Sequence, residues 1–191
     1  MRADDAHDGH GAKDDTGLDG PKPPPVARVG CPTPLQFTDG SRALSTADLV
    51  AVLREGRVAQ CGTPEELYHW PVNPWLASFV GDAVLVPGTA DDDVAATALG
   101  RIPLAAAPEG LRDGLVLFRP EQLRLSEPDS ADAAGVVTDV RFFGHDALVT
   151  VAVDGLDRPI DIRTPSPLRV EPGVRVGVCL TGEATLHPRI V

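Results

Sequence analysis

After residue 83 the chain is a succession of short segments in which apolar and polar residues alternate, and each segment is bounded by Gly or Pro. Such short, regularly spaced runs are typical of β-strands joined by tight turns. Helical segments of the length that a βαβ sheet needs between its strands are missing. The pattern therefore predicts a mainly β fold, a small closed barrel over residues 83–191. The runs that carry this prediction are GLVLFRPEQLRL, AGVVTDVRFFGHDALVTVAVDG, RPIDIRTP and VRVGVCLTG.

Residues 35–82 predict a short α+β segment. LVAVL and RVAQC flank REG, which predicts a hairpin with Gly56 at a positive φ in its turn. Thr63, Pro64 and Glu66 have the spacing of a helix start: an N-cap, a proline in the first helical position and the glutamate of a capping box. We expect this helix to end near His69. NPWLASFVG repeats the arrangement and predicts a second short helix that ends at its glycine.

Residues 1–34 are rich in Asp, Gly and Pro and contain few apolar residues, so we predict a disordered acidic tail. The acidic start differs from a signal peptide, and no apolar run in the sequence is long enough to span a bilayer. The three cysteines form no CxxC pair, which fits a reducing compartment. We therefore expect a cytoplasmic protein that reaches the inner face of the cell membrane only through a permease partner.

The net charge of -11 argues against a nucleic-acid partner, since binding to phosphates depends on clustered Lys and Arg. Aromatic residues are only 4% of the chain, too few to suggest a stacking platform for bases. No triad spacing, metal-ligand spacing or cofactor motif stands out. We expect no catalytic, cofactor or metal site.

Between residues 43 and 81 many residues fit one specific pattern: Ala43, Leu44, Ser45, Ala47, Asp48, Gly56, Arg57, Gly62, Thr63, Pro64, Glu65, Glu66, Tyr68, Pro71, Asn73, Ala77, Phe79 and Gly81. This pattern resembles the end of the nucleotide-binding domain in ABC importer ATP-binding subunits of the iron(III), spermidine/putrescine and sulfate type. FRPEQLRL and FFGHDALVTV, further along, resemble the TOBE domain that follows it. The resemblance implies that residues 35–82 are a remnant of that nucleotide-binding domain and that residues 83–191 form an OB-like TOBE barrel.

The sequence lacks the features with which this family hydrolyses ATP. A Walker A loop needs a Gly-Lys-Ser/Thr run, whereas the only lysines are Lys13 and Lys22, which lie among Asp and Pro residues. No Asp-Glu dipeptide and no LSGGQ-like segment occur, and FTDG stands where the family carries Thr-His-Asp. We therefore expect that the chain is not an enzyme on its own.

Four polar residues at turns are candidates for a regulatory ligand pocket. Arg119 and Glu121 flank a proline, and arginine suits oxyanions. His145 and Asp146, in the GHD turn, could coordinate a ligand or position an anion. The alternatives are a surface turn with a salt bridge for the first pair and a locally hydrogen-bonded hairpin turn for the second.

The first functional hypothesis is a truncated ATP-binding subunit: a TOBE accessory domain with a role in dimer contact and in regulation of substrate import. A free-standing OB-like barrel that binds a small oxyanion or metal is the alternative, and a nucleic-acid-binding OB module is a third class. For the first, the partners are a second copy of the chain or an ABC cassette and permease complex. We expect Leu53, Val58, Leu67 and Trp70 to be exposed or folded back on the barrel, with a dimer contact centred on residues 49–79.

Overall fold

The computed structural model describes residues 40–166 and 169–189 and has a mainly β fold, as predicted. The predicted acidic tail, residues 1–34, lies outside the described residues. The helices are α1 (Gly40–Thr46), α2 (Pro64–His69) and α3 (Pro74–Val80). The strands are β1 (Val50–Arg54), β2 (Arg57–Gly62), β3 (Val84–Asp91), β4 (Val94–Thr97), β5 (Gly100–Ala106), β6 (Asp113–Phe118), β7 (Leu123–Ser126), β8 (Ala133–Phe142), β9 (Asp146–Val153), β10 (Ile160–Pro165), β11 (Arg175–Leu180) and β12 (Ala184–His187). Two 3₁₀ turns, Pro120–Gln122 and Pro128–Ser130, flank β7.

The first part of the described chain is a small α+β segment, which we call the helical segment (residues 40–82). Strands β1 and β2 form the predicted hairpin, and its turn has two consecutive left-handed residues, Glu55 at φ 53° and Gly56 at φ 75°. This pair is the geometry of a type I′ turn, whose twist matches that of the strands. Helix α1, which the sequence did not suggest, precedes the hairpin.

Both helices after the hairpin begin where the sequence predicts. The Thr63 hydroxyl accepts a hydrogen bond from the backbone N–H of Glu66 at 3.2 Å, and the Glu66 carboxylate accepts one from the backbone N–H of Thr63 at 2.9 Å. This reciprocal capping box satisfies two N–H groups that the helix itself leaves unpaired. The Asn73 side chain caps α3 in the same way, accepting from the Leu76 N–H at 2.9 Å.

The helical segment has its own small core, and one expectation fails there. Leu67 is fully buried and packs with Val52, Leu76 and Val80. The expectation that Leu67 stays exposed or folds back on the barrel is therefore wrong, because the turn of α2 directs this side chain toward β1 and α3. Leu53, Val58 and Trp70 are exposed, as expected.

The rest of the chain forms two β-structures that share one core. Strands β12, β5, β4, β3 and β6 close into a barrel, in which β12 runs parallel to β5 and antiparallel to β6. Strands β10, β9, β8, β11 and β7 form a five-stranded antiparallel sheet. Side chains of both, such as Val86 and Val151, belong to one apolar cluster. The predicted barrel is present, and the division of the strands between a barrel and a sheet is what the pattern did not predict.

The short 3₁₀ turn at Pro120–Gln122 takes the chain from the barrel to the sheet, between β6 and β7. The run FRPEQLRL, predicted as strand, turn and strand, therefore joins two different β-structures. The domain boundaries at residues 34 and 82 stay predictions. In the described part of the chain, no helix is long and apolar enough to cross a bilayer.

Candidate functional site at the junction of the helical segment and the barrel

Arg119 leaves the end of β6 and inserts its side chain between the barrel and the helical segment. The residue is only 3% exposed. Its Nη1 donates hydrogen bonds to the carbonyl oxygens of Ala77 at 2.9 Å and Asp82 at 2.8 Å, and its Nη2 donates to that of Tyr68 at 2.6 Å. Tyr68 and Ala77 lie in the last turns of α2 and α3, where backbone carbonyls have no N–H donor within the helix. A single guanidinium thus caps both helix C-termini, where a cation is electrostatically favoured.

The ring of Tyr68 covers the guanidinium of Arg119. The guanidinium carbon lies 4.0 Å from the ring centroid, a cation–π contact, and the Tyr68 hydroxyl donates to Glu121 Oε1 at 2.7 Å. Burial and the hydrogen bond to Glu121 raise the pKa of Tyr68, while burial lowers the pKa of Arg119. The guanidinium stays charged at neutral pH because its ordinary pKa is so high.

Gly81 allows this close packing. A Cβ at position 81 would lie 2.9 Å from the Tyr68 ring, closer than real Cβ contacts come. The glycine that ends α3 therefore also makes room for the ring over Arg119. We call the set Tyr68, Gly81, Arg119 and Glu121, with the carbonyls that Arg119 binds, the Arg119 clamp.

Asp82 connects the clamp to the five-stranded sheet. Its carbonyl oxygen binds Arg119, and its side chain accepts a hydrogen bond from Arg163 Nη2 at 3.2 Å. Arg163, on β10, also donates from Nη1 to Asp146 Oδ2 at 2.6 Å, and this bond is the main reason that the pKa of Arg163 is raised. His145 is exposed, with Nε2 3.7 Å from Asp146 Oδ1.

The four candidate residues thus lie at the two ends of one chain of polar contacts. Arg119 and Glu121 meet through the Tyr68 ring, whereas His145 and Asp146 are reached only through Asp82 and Arg163. Of the two hollows that adjoin this region, one is lined by Arg119 and the other by none of the four. Whether they bind a regulatory ligand stays a prediction.

Three residues whose side chains make polar contacts in this arrangement were not among the candidates: Tyr68, Asp82 and Arg163. Tyr68 does belong to the specific pattern of residues 43–81, which is the one signal that pointed to it. Asp82 and Arg163 carry no local signal, because their roles depend on a contact between residues far apart in sequence.

Two hollows adjoin the clamp. The smaller, of about 340 Å³, lies beside Tyr68, Trp70, Arg119, Gln122 and Thr185. The larger is a groove of about 790 Å³ between the outer face of β3 and the turn that joins β9 to β10, with Leu85, Leu115 and Arg158 among its lining residues. Both volumes are in the range of small-ligand sites. Within the described ranges, no group of three or more His, Cys, Asp and Glu side chains is arranged to hold a metal ion.

Known proteins share sequence similarity with both the helical segment and the barrel. The TOBE domain model matches residues 116–186, from β6 to β12. The chain is 37% identical over 168 residues to the Fe(3+) ions import ATP-binding protein FbpC 1 of Rhodococcus jostii, which covers 85% of this chain and 48% of that protein. It is 34% identical over 181 residues to FbpC of Pseudomonas fluorescens, covering 89% of this chain and 51% of that protein.

The TOBE match and the similarity to these import ATP-binding proteins over 85% or more of the chain support a C-terminal fragment of an ABC importer ATP-binding subunit. The chain spans about half the length of the curated relatives that it matches. The TOBE match contains Arg119, Glu121, His145, Asp146 and Arg163, whereas α2, α3 and Asp82 precede it. The Arg119 clamp therefore joins the TOBE domain to the segment in front of it.

Proposed function

We propose that the chain acts as a C-terminal accessory part of an importer ATP-binding subunit, with a role in dimer contact and regulation and without ATP hydrolysis of its own. The observation that carries this proposal is the Arg119 clamp. A buried arginine of the TOBE match caps α2 and α3, which we take to be the end of a nucleotide-binding domain. A rigid connection of this kind can pass a change in one part to the other.

The sequence supports the proposed lack of hydrolysis. Phosphoryl transfer needs a lysine on the β- and γ-phosphates and acidic side chains that hold Mg²⁺ and position water. The chain has only Lys13 and Lys22, neither in a Walker A context, and it has no Asp-Glu dipeptide. Four features that ABC ATPases use are missing together from this sequence, which supports the proposal that the chain does not hydrolyse ATP on its own.

The transported substrate is proposed from the relatives. Their names describe import of Fe(3+) ions, and we propose that this chain serves an iron(III) importer. Polyamine and sulfate importers, which the sequence also resembles, are the alternatives. In that role it lies in the cytoplasm and reaches the membrane through the permease.

The exposed apolar side chains of the helical segment support the association with a partner. Most of the large apolar residues that are exposed in the described part lie between residues 49 and 79. An uncovered group of this kind marks an interaction site. We call these residues the apolar surface: Leu49, Leu53, Val58, Trp70, Val72 and Phe79.

The regulatory role is tested by adding the purified chain to a full-length ATP-binding subunit, such as the Rhodococcus jostii relative, and measuring ATP turnover. The expected result is a change in turnover that saturates with the concentration of the chain. A matched control is a chain with Leu53→Asp and Trp70→Asp, which removes two exposed apolar side chains from the surface. Turnover that is the same with the chain, with the control and with buffer would contradict a regulatory role.

A free-standing binding barrel is the second candidate, and the two hollows beside the clamp favour it. If the chain is such a barrel, an oxyanion such as molybdate or sulfate, or a divalent metal, should raise the melting temperature of the chain alone. The increase should grow with the concentration of the ligand. Under the accessory proposal the melting temperature stays unchanged at millimolar concentrations of each.

A further inference from the structure

The smaller hollow, of about 340 Å³, lies between the helical segment and the barrel, and we call it the junction hollow. Tyr68 and Trp70, at the end of α2, belong to one wall. Leu117 and Phe118 of β6 and Thr185 of β12 belong to the other. A molecule bound in the junction hollow therefore contacts both parts of the protein at once.

Arg119 also lines the junction hollow, and not all of its donors are used. Nη1 donates to the carbonyls of Ala77 and Asp82 and, at 3.4 Å, to that of Gly81. Nη2 donates to the carbonyl of Tyr68. These bonds and the Tyr68 ring compensate the charge, but Nε is buried and has no acceptor among the described residues. A buried N–H without an acceptor costs free energy, which an oxygen atom of a ligand recovers.

We propose that the junction hollow binds a small aromatic monocarboxylate, whose carboxylate oxygens accept hydrogen bonds from Nε and Nη2 of Arg119. A guanidinium has five N–H groups, and its flat shape allows two of them to meet the two oxygens of one carboxylate. The inference goes beyond the proposed function, because binding in this hollow does not require that the chain regulates an ATPase.

The apolar lining of the junction hollow suits the ring of such a ligand. Leu117 and Phe118 are almost fully buried, whereas the indole of Trp70 is 50% exposed. A ring that lies against this indole gains an aromatic contact and removes apolar surface from water. The volume of the hollow is sufficient for one ring with its carboxylate.

Inorganic oxyanions fit the same lining less well. Sulfate or molybdate bound to Arg119 has further charged oxygens, and those that face Leu117 and Phe118 lose water without gaining a donor. The other buried polar side chain of the hollow, Thr185, is already engaged, with its hydroxyl 2.9 Å from Nε2 of His187. The site therefore favours a ligand that is charged at one end only.

Glu183 is the residue that tests the sign of the ligand charge. It lines the junction hollow, is exposed, and makes no ion pair within the described part of the chain. An organic cation, held by Glu183 and the face of Trp70, is the competing ligand. We favour the anion because the exposed carboxylate of Glu183 is hydrated, whereas the buried Nε of Arg119 has neither water-accessible surface nor an acceptor.

The Nε–H signal of Arg119 reports this contact directly. In a proton–nitrogen correlation NMR spectrum of the full chain, assigned through the side-chain carbons, titration with benzoate should move this signal downfield until the site is saturated. The Nε–H signal of Arg124, an exposed arginine on β7, is the internal control and should not move. No saturable shift at Arg119 with millimolar benzoate would overturn the proposal, and so would a shift confined to other residues.

Calorimetric titration with benzoate tests the ring contact. Trp70→Ala should raise the dissociation constant about fivefold, because the ligand ring loses the indole. Phe142→Ala, which removes another exposed aromatic side chain on β8, is the matched control and should leave the constant unchanged. Sulfate that binds as tightly as benzoate, or a Trp70→Ala chain that binds as tightly as the parent, would contradict an aromatic ligand.

A second pair of variants tests the charge. Glu183→Gln should lower the dissociation constant for benzoate about threefold, because it removes a neighbouring negative charge. Glu171→Gln, at an exposed glutamate before β11, is the control and should have no effect. Weaker benzoate binding by Glu183→Gln, or tighter binding of benzylammonium than of benzoate by the parent chain, would show that the hollow takes a cation. All of these measurements use the chain alone, so their failure is distinguishable from failure of the regulatory role in the turnover assay.

Discussion

At the scale of single residues, Arg119 makes the main polar contacts between the helical segment and the barrel. A charge that is almost fully buried is costly unless its hydrogen bonds replace those of water. Arg119 meets this requirement with backbone carbonyls at two helix ends and with the face of Tyr68, and it forms no ion pair with a carboxylate of the described residues. The compensation is therefore spread over the helical segment, which makes the fold of that segment depend on a residue of the TOBE domain.

Replacing this side chain should destabilise the protein strongly. Arg119→Ala leaves the carbonyls of Tyr68, Ala77 and Asp82 without their donor, and we expect a loss of about 3 kcal/mol in the free energy of unfolding. Urea denaturation followed by circular dichroism measures it. Arg124→Ala, an exposed arginine on β7, is the control, with a change within about 0.5 kcal/mol. A loss at Arg119 no larger than at Arg124 would contradict the clamp.

The sequence predicted Arg119 as a site residue but not what it does. Its partners are backbone carbonyls about forty residues earlier in the chain, and carbonyls leave no trace in a residue pattern. Glu121 was predicted as a candidate for a similar reason, as a charge beside a turn, while its partner Tyr68 lies 53 positions away. Residue types at turns can point to a place, but long-range contacts determine its chemistry.

At the scale of elements, short sequence motifs correctly predicted the features that depend on neighbouring residues. The hairpin turn and the two helix starts depend on residues within three or four positions of one another, and all three are where the sequence places them. The barrel strands β3, β4, β5 and β12 were not singled out. Their pairing is long-range: β12 joins β5 about eighty residues earlier, in parallel, and no short pattern encodes such a partner.

The capping box of α2 can be tested against its neighbour. Thr63→Ala and Glu66→Ala each remove one hydrogen bond at the helix start, and we expect each to cost about 1 kcal/mol of stability. Glu65→Ala is the matched control, since Glu65 lies in the same first turn but outside the box. Equal losses at Glu65 and Glu66, measured by thermal unfolding, would show that only the helix dipole is involved.

The strand that closes the barrel makes stability depend on pH. His187 is buried on β12 with Nε2 2.9 Å from the Thr185 hydroxyl, and burial lowers its pKa. Because the unfolded state takes up the proton first, stability falls as pH drops below the unfolded pKa of about 6.5, until the folded residue is protonated too. One such group contributes at most about 1.4 kcal/mol per pH unit. His187→Gln should flatten the stability profile between pH 7 and pH 5.5, whereas His145→Gln, at an exposed turn, should not.

At the scale of the whole molecule, two apolar cores are held together by polar contacts. The core of the helical segment and the shared core of the barrel and sheet contain different residues. The Arg119 clamp and the Asp82–Arg163 contact cross between them. The helical segment alone would be marginal, because a two-stranded hairpin and three short helices bury little surface. This organisation fits a part that works beside a larger nucleotide-binding unit.

The central claim is that the chain supplies contact and regulation but no ATP hydrolysis. Titration of the purified chain with Mg-ATP in a calorimeter, followed by a phosphate-release assay on the same sample, tests it most directly. We predict no binding heat at millimolar nucleotide and no phosphate release above the buffer rate, because the sequence has no Gly-Lys-Ser/Thr run to hold the β- and γ-phosphates. Saturable binding, with phosphate release that stays with the chain through a second purification, would contradict the account.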